Sequence, residues 1–250
     1  MDTGTTTVLW IVSAIMIVAA LAFTFMQRNA STESKHFYYA SSFIALTAAT
    51  LYFAMASGAG GVIQPGGHVF LFGRYIDWAI TTPLLLLDLA LVGLPRYAGR
   101  SALIIWLLGS DVYMIATGFA AAAIRSEYRW AWFGVSSVAF LVILYIIVGQ
   151  LGPIARRRDP IVGRHFRTLS IMLLVLWFCY PIVWALGTEG FGVFNTFAAT
   201  VLYGILDVLA KVAYGFILLR NRSVLDHVEE TGDTHRVTTE GVPGTAKVMP

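Results

Sequence analysis

The most telling scarcity in this 250-residue chain is charge: Asp, Glu, Lys and Arg make up 12% of it, while 58% is hydrophobic. A soluble domain usually carries about twice that charged fraction. A single cysteine, Cys179, inside an apolar run, excludes an intrachain disulfide framework and says nothing of redox compartment. No glycine-rich phosphate loop, metal-ligand spacing or internal repeat is evident, and the net charge of +3 is too small to suggest a nucleic-acid partner. The histidines His36, His68, His165, His227 and His235 fall at ends, in loops or in the tail, which argues against a buried histidine metal site.

What is present is a series of apolar runs long enough to cross about 30 Å of hydrocarbon, which takes ~20 helical residues. Without water, a spanning segment must satisfy its own backbone polar groups, so each run is expected to be a helix. Seven are read, over 6–27, 36–57, 72–93, 99–123, 128–153, 163–187 and 194–222, making one bundle over 1–222. The first has acidic Asp2 before it and no basic leader, which suits a retained span better than a secretory signal. The stretch from Ser57 to His68, with Pro65, has room for a small hairpin. The polar segment 223–250, with Glu229, Glu230 and Asp233, is expected to be a disordered tail.

Charge asymmetry orients the bundle. Arg28, Lys35, Arg96, Arg100, Arg156, Arg157, Arg158, Arg164, Arg167, Arg220 and Arg222 fall on one side, against Arg125 and Arg129 on the other. The basic side is expected to be cytoplasmic, which puts the amino terminus outside and the carboxyl terminus inside. The protein is thus expected in the cell membrane as a multi-pass protein with the lipid bilayer as its surroundings.

Six ionisable residues lie within the spans: Arg74, Asp77, Asp88, Asp111, Asp207 and Lys211. Each would cost about 2.5–3.5 kcal/mol at a helix centre, so pairing or function is expected of them. Asp207 precedes Lys211 by one helical turn on the same face, which fits a structural ion pair as well as a buried lysine poised to form an imine. In the third span Asp77 and Asp88 are eleven residues apart, three turns plus about 20°, hence on one face and roughly 16 Å apart. Thr81 shares that stripe and Arg74 lies one turn outside Asp77. A cation, a carboxylate, a hydroxyl and a second carboxylate on one face form a plausible proton path. Asp77, beside cations, is expected to start ionised; Asp88, among Leu85, Leu86, Leu87 and Leu89, to start protonated. On the sixth span Trp177, Tyr180 and Trp184 form an aromatic stripe beside Pro181, a pattern that alone is more often packing.

The strings Arg-Tyr-x-Asp-Trp-x-x-Thr-Thr-Pro-Leu-Leu-Leu-Leu-Asp from Arg74 and Leu-Asp-Val-x-Ala-Lys ending at Lys211 resemble the microbial (type 1) rhodopsins, and among them the bacteriorhodopsin-like outward proton pumps. The resemblance implies all-trans retinal bound to Lys211 as a protonated Schiff base, with Asp77 and Asp207 as counterions above Arg74. It implies Asp77 as proton acceptor, Asp88 as donor and Thr81 between them in the motif, with Ser41 where the family has a threonine that hydrogen-bonds the donor. The implied lining is Trp78, Thr82, Leu85, Met114, Gly118, Ser136, Phe140, Trp177, Tyr180 and Trp184, with Tyr52 completing the hydrogen bonding of Asp207. Asp111 is expected to help pack the second span. The chain departs from the pattern where Ala199 replaces the partner of Glu189 in an outer glutamate pair that helps release the proton, so uptake is expected to precede release. Phe133 and Phe140 replace a tryptophan and a methionine at the pocket, which would shift colour, and Ala45 replaces a proline in the second span.

So read, the chain is a light-driven ion transporter rather than an enzyme, with no obligatory protein partner and a homo-oligomeric state, trimer or pentamer, as in the family. The alternative is a sensory rhodopsin with little or no net transport, against which Asp88 stands. An inward pump is disfavoured by Asp207, a channel by the apolar second span, and a non-photoactive relative by Lys211.

Overall fold

In the computed structural model, residues 1–32, 34–64, 67–94, 101–124, 126–221 and 224–226 are described. Arg96, Arg100, Arg125, Arg222, Pro65 and the segment 227–250 lie outside them, so part of the charge asymmetry and most of the expected disordered tail fall beyond the described residues; the start of that tail, 224–226, is instead helical, because Val224 and Leu225 are buried and Asp226 accepts from the Ser31 hydroxyl. Seven helices are long and apolar enough to cross a membrane: α1 (Thr3–Asn29), α2 (Lys35–Ala56), α3 (Gly73–Gly93), α4 (Ser101–Ala123), α5 (Tyr128–Arg156), α6 (Pro160–Leu186) and α7 (Thr196–Arg220). Their boundaries follow local chemistry. Asp2, Asp159 and Asn195 cap α1, α6 and α7 by accepting from the amides of Thr5, Ile161 and Ala198, which would otherwise be unpaired. The glycine-rich connector after α2 forms a two-stranded antiparallel hairpin, β1 (Val62–Ile63) and β2 (Val69–Phe70), with Val62 opposite Phe70.

Each helix packs on the next, α7 closes against α1, and α3 meets α6 across the middle. Of the seven, α3 is the most buried and α4 the least, so α3 is the inner helix and α4 a peripheral one. Outward positions carry Val18, Leu21, Ile105 and Trp106, a distribution that suits lipid rather than water. The inward side chains form three apolar clusters, around Phe37, Leu86 and Leu173, around Trp78, Trp184 and Tyr203, and around Leu9, Met16 and Tyr52.

Pro83 in α3, Pro153 in α5 and Pro181 in α6 lie inside their helices without breaking them. Two helices widen into π-helical turns, Ile146–Leu151 in α5 and Val208–Ala213 in α7. The second contains Lys211, and the amide of Tyr214 reaches back to the carbonyl of Leu209. Such single-turn widenings re-aim side chains and concentrate at functional sites. His165, read in the sequence as an end residue, is buried at 6% exposure, because α6 starts at Pro160 and carries it more than a turn into the bundle.

Candidate functional site

Lys211 is 2% exposed and lies between two fully buried carboxylates. Its Nζ is 2.7 Å from Asp77 Oδ2 and 3.1 Å from Asp207 Oδ1. A lone ammonium would be very costly at this depth, so two carboxylates from different helices converge on it. The pair Asp207–Lys211 follows from the one-turn spacing; the closer contact to Asp77 depends on α3 and α7 facing each other.

The two carboxylates are not equivalent. Asp207 accepts from three neutral side chains: Tyr52 OH at 2.7 Å on Oδ2, Tyr180 OH at 2.7 Å on Oδ1, and Trp78 Nε1 at 3.2 Å on Oδ1. Among the described residues Asp77 receives, besides the lysine, only Thr81, whose hydroxyl is 3.3 Å from Oδ1 and bonds more closely, at 2.8 Å, to the Asp77 carbonyl. Asp207 is therefore locked by its donors, whereas Asp77 keeps acceptor capacity for a further proton.

A cavity opens from Lys211 along the bundle. Trp78, Thr82 and Leu85 from α3, Met114 and Gly118 from α4, and Ser136 and Phe140 from α5 line it, with Trp177, Tyr180 and Trp184 from α6. All ten of these were expected in the sequence. Tyr52 stands outside the cavity and acts through Asp207. Gly118 leaves room there, since a Cβ would come within 3.3 Å of Ser136 Oγ, which donates to the Met114 carbonyl at 2.8 Å. Phe133 stacks on Trp184 with centroids 4.6 Å apart, and Trp184 Nε1 donates to Tyr75 OH at 3.0 Å. Tyr75, Ile115, Ser137, Ala210 and Tyr203 also line the cavity and were missed. Spacing held a signal for one of them: Ala199, Tyr203, Asp207 and Lys211 recur every four residues on one face of α7.

These residues fit an elongated apolar group carrying one cationic end. Aromatic and aliphatic side chains form the walls, and a lysine between two carboxylates stands at one end. An aldehyde such as retinal could condense with Lys211, whose ammonium marks where the resulting cationic nitrogen would be held.

The other expected residues lie on either side. Asp88 is 2% exposed among leucines, and its Oδ2 has no hydrogen-bond partner. Ser41, expected to bond it, is buried on α2 and makes no hydrogen bond to Asp88. Arg74, one turn outside Asp77, pairs with Glu189, Nη1 to Oε1 at 3.7 Å. Glu189 is held in turn by the Thr188 hydroxyl at 3.3 Å and, through its carbonyl, by Arg129 at 3.2 Å. Ala199, buried, brings no second carboxylate there. Asp111 bonds Thr82 on α3 at 2.7 Å, so it ties α4 to α3 rather than to α2.

The family model for bacteriorhodopsin-like proteins matches residues 3–225. Bacteriorhodopsin of Haloterrigena sp. (strain arg-4) is 43% identical over 88% of this chain and 89% of its own, and archaerhodopsin-3 of Halorubrum sodomense is 36% identical over 88% and 87%. Among solved structures, the thermophilic rhodopsin from Rubrobacter xylanophilus superposes with a TM-score of 0.89 at 41% identity, covering 90% of this chain and 99% of that one. The light-driven proton pump of Coccomyxa subellipsoidea superposes at 0.82 with 33% identity, covering 88% and 97%.

Proposed function

The chain belongs to the bacteriorhodopsin-like family, a family of light-driven transporters in membranes, and from that premise we propose that it pumps protons outward, using retinal bound to Lys211. The observation that carries the reading is the 2.7 Å contact between Lys211 Nζ and an Asp77 that keeps acceptor capacity, beside an Asp207 that does not.

Retinal would supply a light-driven change of shape next to the Lys211 nitrogen. The residues determine where the proton then goes. Asp77 takes it from the Lys211 nitrogen, over a distance already that of a hydrogen bond. Asp207 remains as the fixed negative charge, held by Tyr52, Tyr180 and Trp78. Asp88, about 16 Å along α3 on the same face, returns a proton to Lys211 from the opposite side, and Ser41 turns toward it when it does. Trp78, Trp177, Tyr180 and Trp184 exclude water between the two halves, so a proton cannot run back.

Direction follows from orientation. Among the described residues Arg28, Lys35, Arg156, Arg157, Arg158, Arg164, Arg167 and Arg220 lie at one end of the spans, against Arg74 and Arg129 at the other. The basic end is read as cytoplasmic, which puts Asp77 toward the outside and Asp88 toward the cytoplasm. The reading includes a homo-oligomer, trimer or pentamer, to be counted by crosslinking in membranes. The test of the transport itself is the external pH of an unbuffered cell suspension expressing the protein with added retinal. Acidification in light, abolished by a protonophore, is expected. No pH change despite a visible retinal band, or alkalinisation, would contradict outward pumping.

A further inference from the structure

Tyr203 belongs to two structures at once. It lines the cavity next to Lys211, and its ring lies under the guanidinium of Arg74, with Arg74 Cζ 4.2 Å from the ring centroid. Both residues are buried, Tyr203 at 1% and Arg74 at 3% exposure. The aromatic face is electron-rich, and away from water its attraction for a cation is strong. Tyr203 is itself immobilised by packing, with ring centroids 5.3 Å from Trp78 and 6.0 Å from Tyr180. Its hydroxyl meets no protein hydrogen-bond partner, and the contacts that hold the ring are those of its faces and edges. The simplest alternative is that Tyr203 only fills space, which a leucine on the same face would do.

The orientation of Arg74 argues for more. Asp77 follows it at i+3 on one helix, a spacing that permits an ion pair. Yet Arg74 reaches away, to Glu189 at 3.7 Å, and forms no ion pair with Asp77. A contact of that length to one carboxylate is a weak reason to turn from two others. We propose that Tyr203 is a positioning residue that holds Arg74 turned toward Glu189, away from Asp77. The groups that face Arg74 are then Glu189, Tyr203 and Tyr52 from neighbouring segments and Tyr75 from its own helix. Those that face Asp77 are Lys211 and Asp207 from α7 and Thr81 from α3.

This rests on the reading of Asp77 as the carboxylate beside the chromophore and deepens it. If Arg74 already points outward at rest, neutralising Asp77 leaves it little further to move. The charge next to Glu189 then hardly changes when Asp77 takes a proton, which adds a second cause, besides Ala199, for late proton release.

The test compares Tyr203→Phe, which keeps the ring, with Tyr203→Leu and Tyr203→Met, which remove it, in the full retinal-loaded protein. Two readouts are taken: the pH midpoint of the colour change set by Asp77, and the guanidinium infrared band that disappears in Arg74→Gln. Freed of the ring, Arg74 turns toward Asp77 and holds its negative charge to lower pH. Tyr203→Leu and Tyr203→Met should therefore lower the midpoint by about one pH unit, a tenfold change, and shift the guanidinium band. Tyr203→Phe should do neither, and in the Arg74→Gln background Tyr203→Leu should have no further effect. A midpoint and band unmoved in the ringless variants would overturn the proposal, as would a shift that persists without Arg74. If instead the colour change survives Asp77→Asn, the assignment of Asp77 fails while the guanidinium band still decides the role of Tyr203.

Discussion

Lys211 Nζ, on α7, sits 2.7 Å from Asp77 Oδ2, on α3. The shorter of its two ion-pair contacts is thus to the carboxylate with fewer donors, and the longer, at 3.1 Å, is to the one already satisfied by Tyr52, Trp78 and Tyr180. The arrangement gives the cation stability without giving both carboxylates the same part.

Replacing the acceptor should therefore stop transport while leaving the protein folded. Asp77→Asn keeps the volume and Asp207, so the pigment should still form, with absorption moved to longer wavelength because a negative charge beside the cationic nitrogen is lost. Light-driven acidification should fall below detection. Spectra and external pH of the same preparation check both, and acidification at the parent's level would contradict the role given to Asp77.

Asp88→Asn should act on the other half of the cycle. Proton return to Lys211 then lacks its positioned acid, and recovery after a flash should slow by about 100-fold, the scale general acid catalysis supplies. Flash absorbance at neutral pH measures it. Recovery at the parent's rate would show that Asp88 is a passenger among Leu85, Leu86 and Leu89.

Much of this was legible in one dimension. The seven spans follow from the length an apolar helix needs, and the Asp207–Lys211 and Asp77–Thr81 pairs follow from one-turn spacing within a helix. What was not legible lies between helices or depends on a rotamer. Nothing in the string around Arg74 says that it faces Glu189, more than a hundred residues away, because a long flexible side chain one turn from Asp77 can turn either way. Ser41 was assigned to the donor through the family resemblance, but a small hydroxyl side chain on one helix does not determine its own rotamer. His165 looked terminal only because the start of α6 was read three residues late, at 163 rather than Pro160. The Gly-rich connector suggested a hairpin but not its register, since glycines carry no pattern of faces.

The outer end should betray the missing carboxylate in its timing. With Ala199 beside a lone Glu189, a pH-indicator dye should record uptake from the medium before release at neutral pH. Ala199→Glu, placing a second carboxylate at a buried position, should bring release forward. Release before uptake in the unmodified protein would contradict this.

Thr82 ties α3 to α4 by its 2.7 Å contact to Asp111, both buried. Thr82→Val leaves that carboxyl without its partner and should lower stability by about 1–3 kcal/mol. Asp111→Asn, which can still bond the hydroxyl, should cost less. Loss of the visible band on heating in detergent ranks the two; equal losses would mean that the contact is incidental.

At the amino terminus Asp2 titrates below its usual 3.8, because its carboxylate accepts from the hydroxyl and then the amide of Thr5. A carboxylate depressed in the folded state stabilises above its unfolded value, and that contribution is lost as pH falls through the folded one. The first turn of α1 should thus stay closed at neutral pH and fray only below about pH 4, seen as faster amide exchange at Thr5 and Thr6. Asp2→Ala should fray at all pH values, whereas Asp2→Asn, also a good cap, should not. Fraying that sets in near neutral pH would rule out this cap as the cause.

The most direct test of the account is time-resolved infrared difference spectroscopy after a flash, following the proton from Lys211 to Asp77. A band from a protonated carboxylic acid should rise in step with loss of the proton at the Lys211 nitrogen, and it should be absent in Asp77→Asn and unchanged in Asp88→Asn. If that band instead persists in Asp77→Asn, or rises well after the nitrogen has lost its proton, Asp77 is not the acceptor and the 2.7 Å contact is only an ion pair.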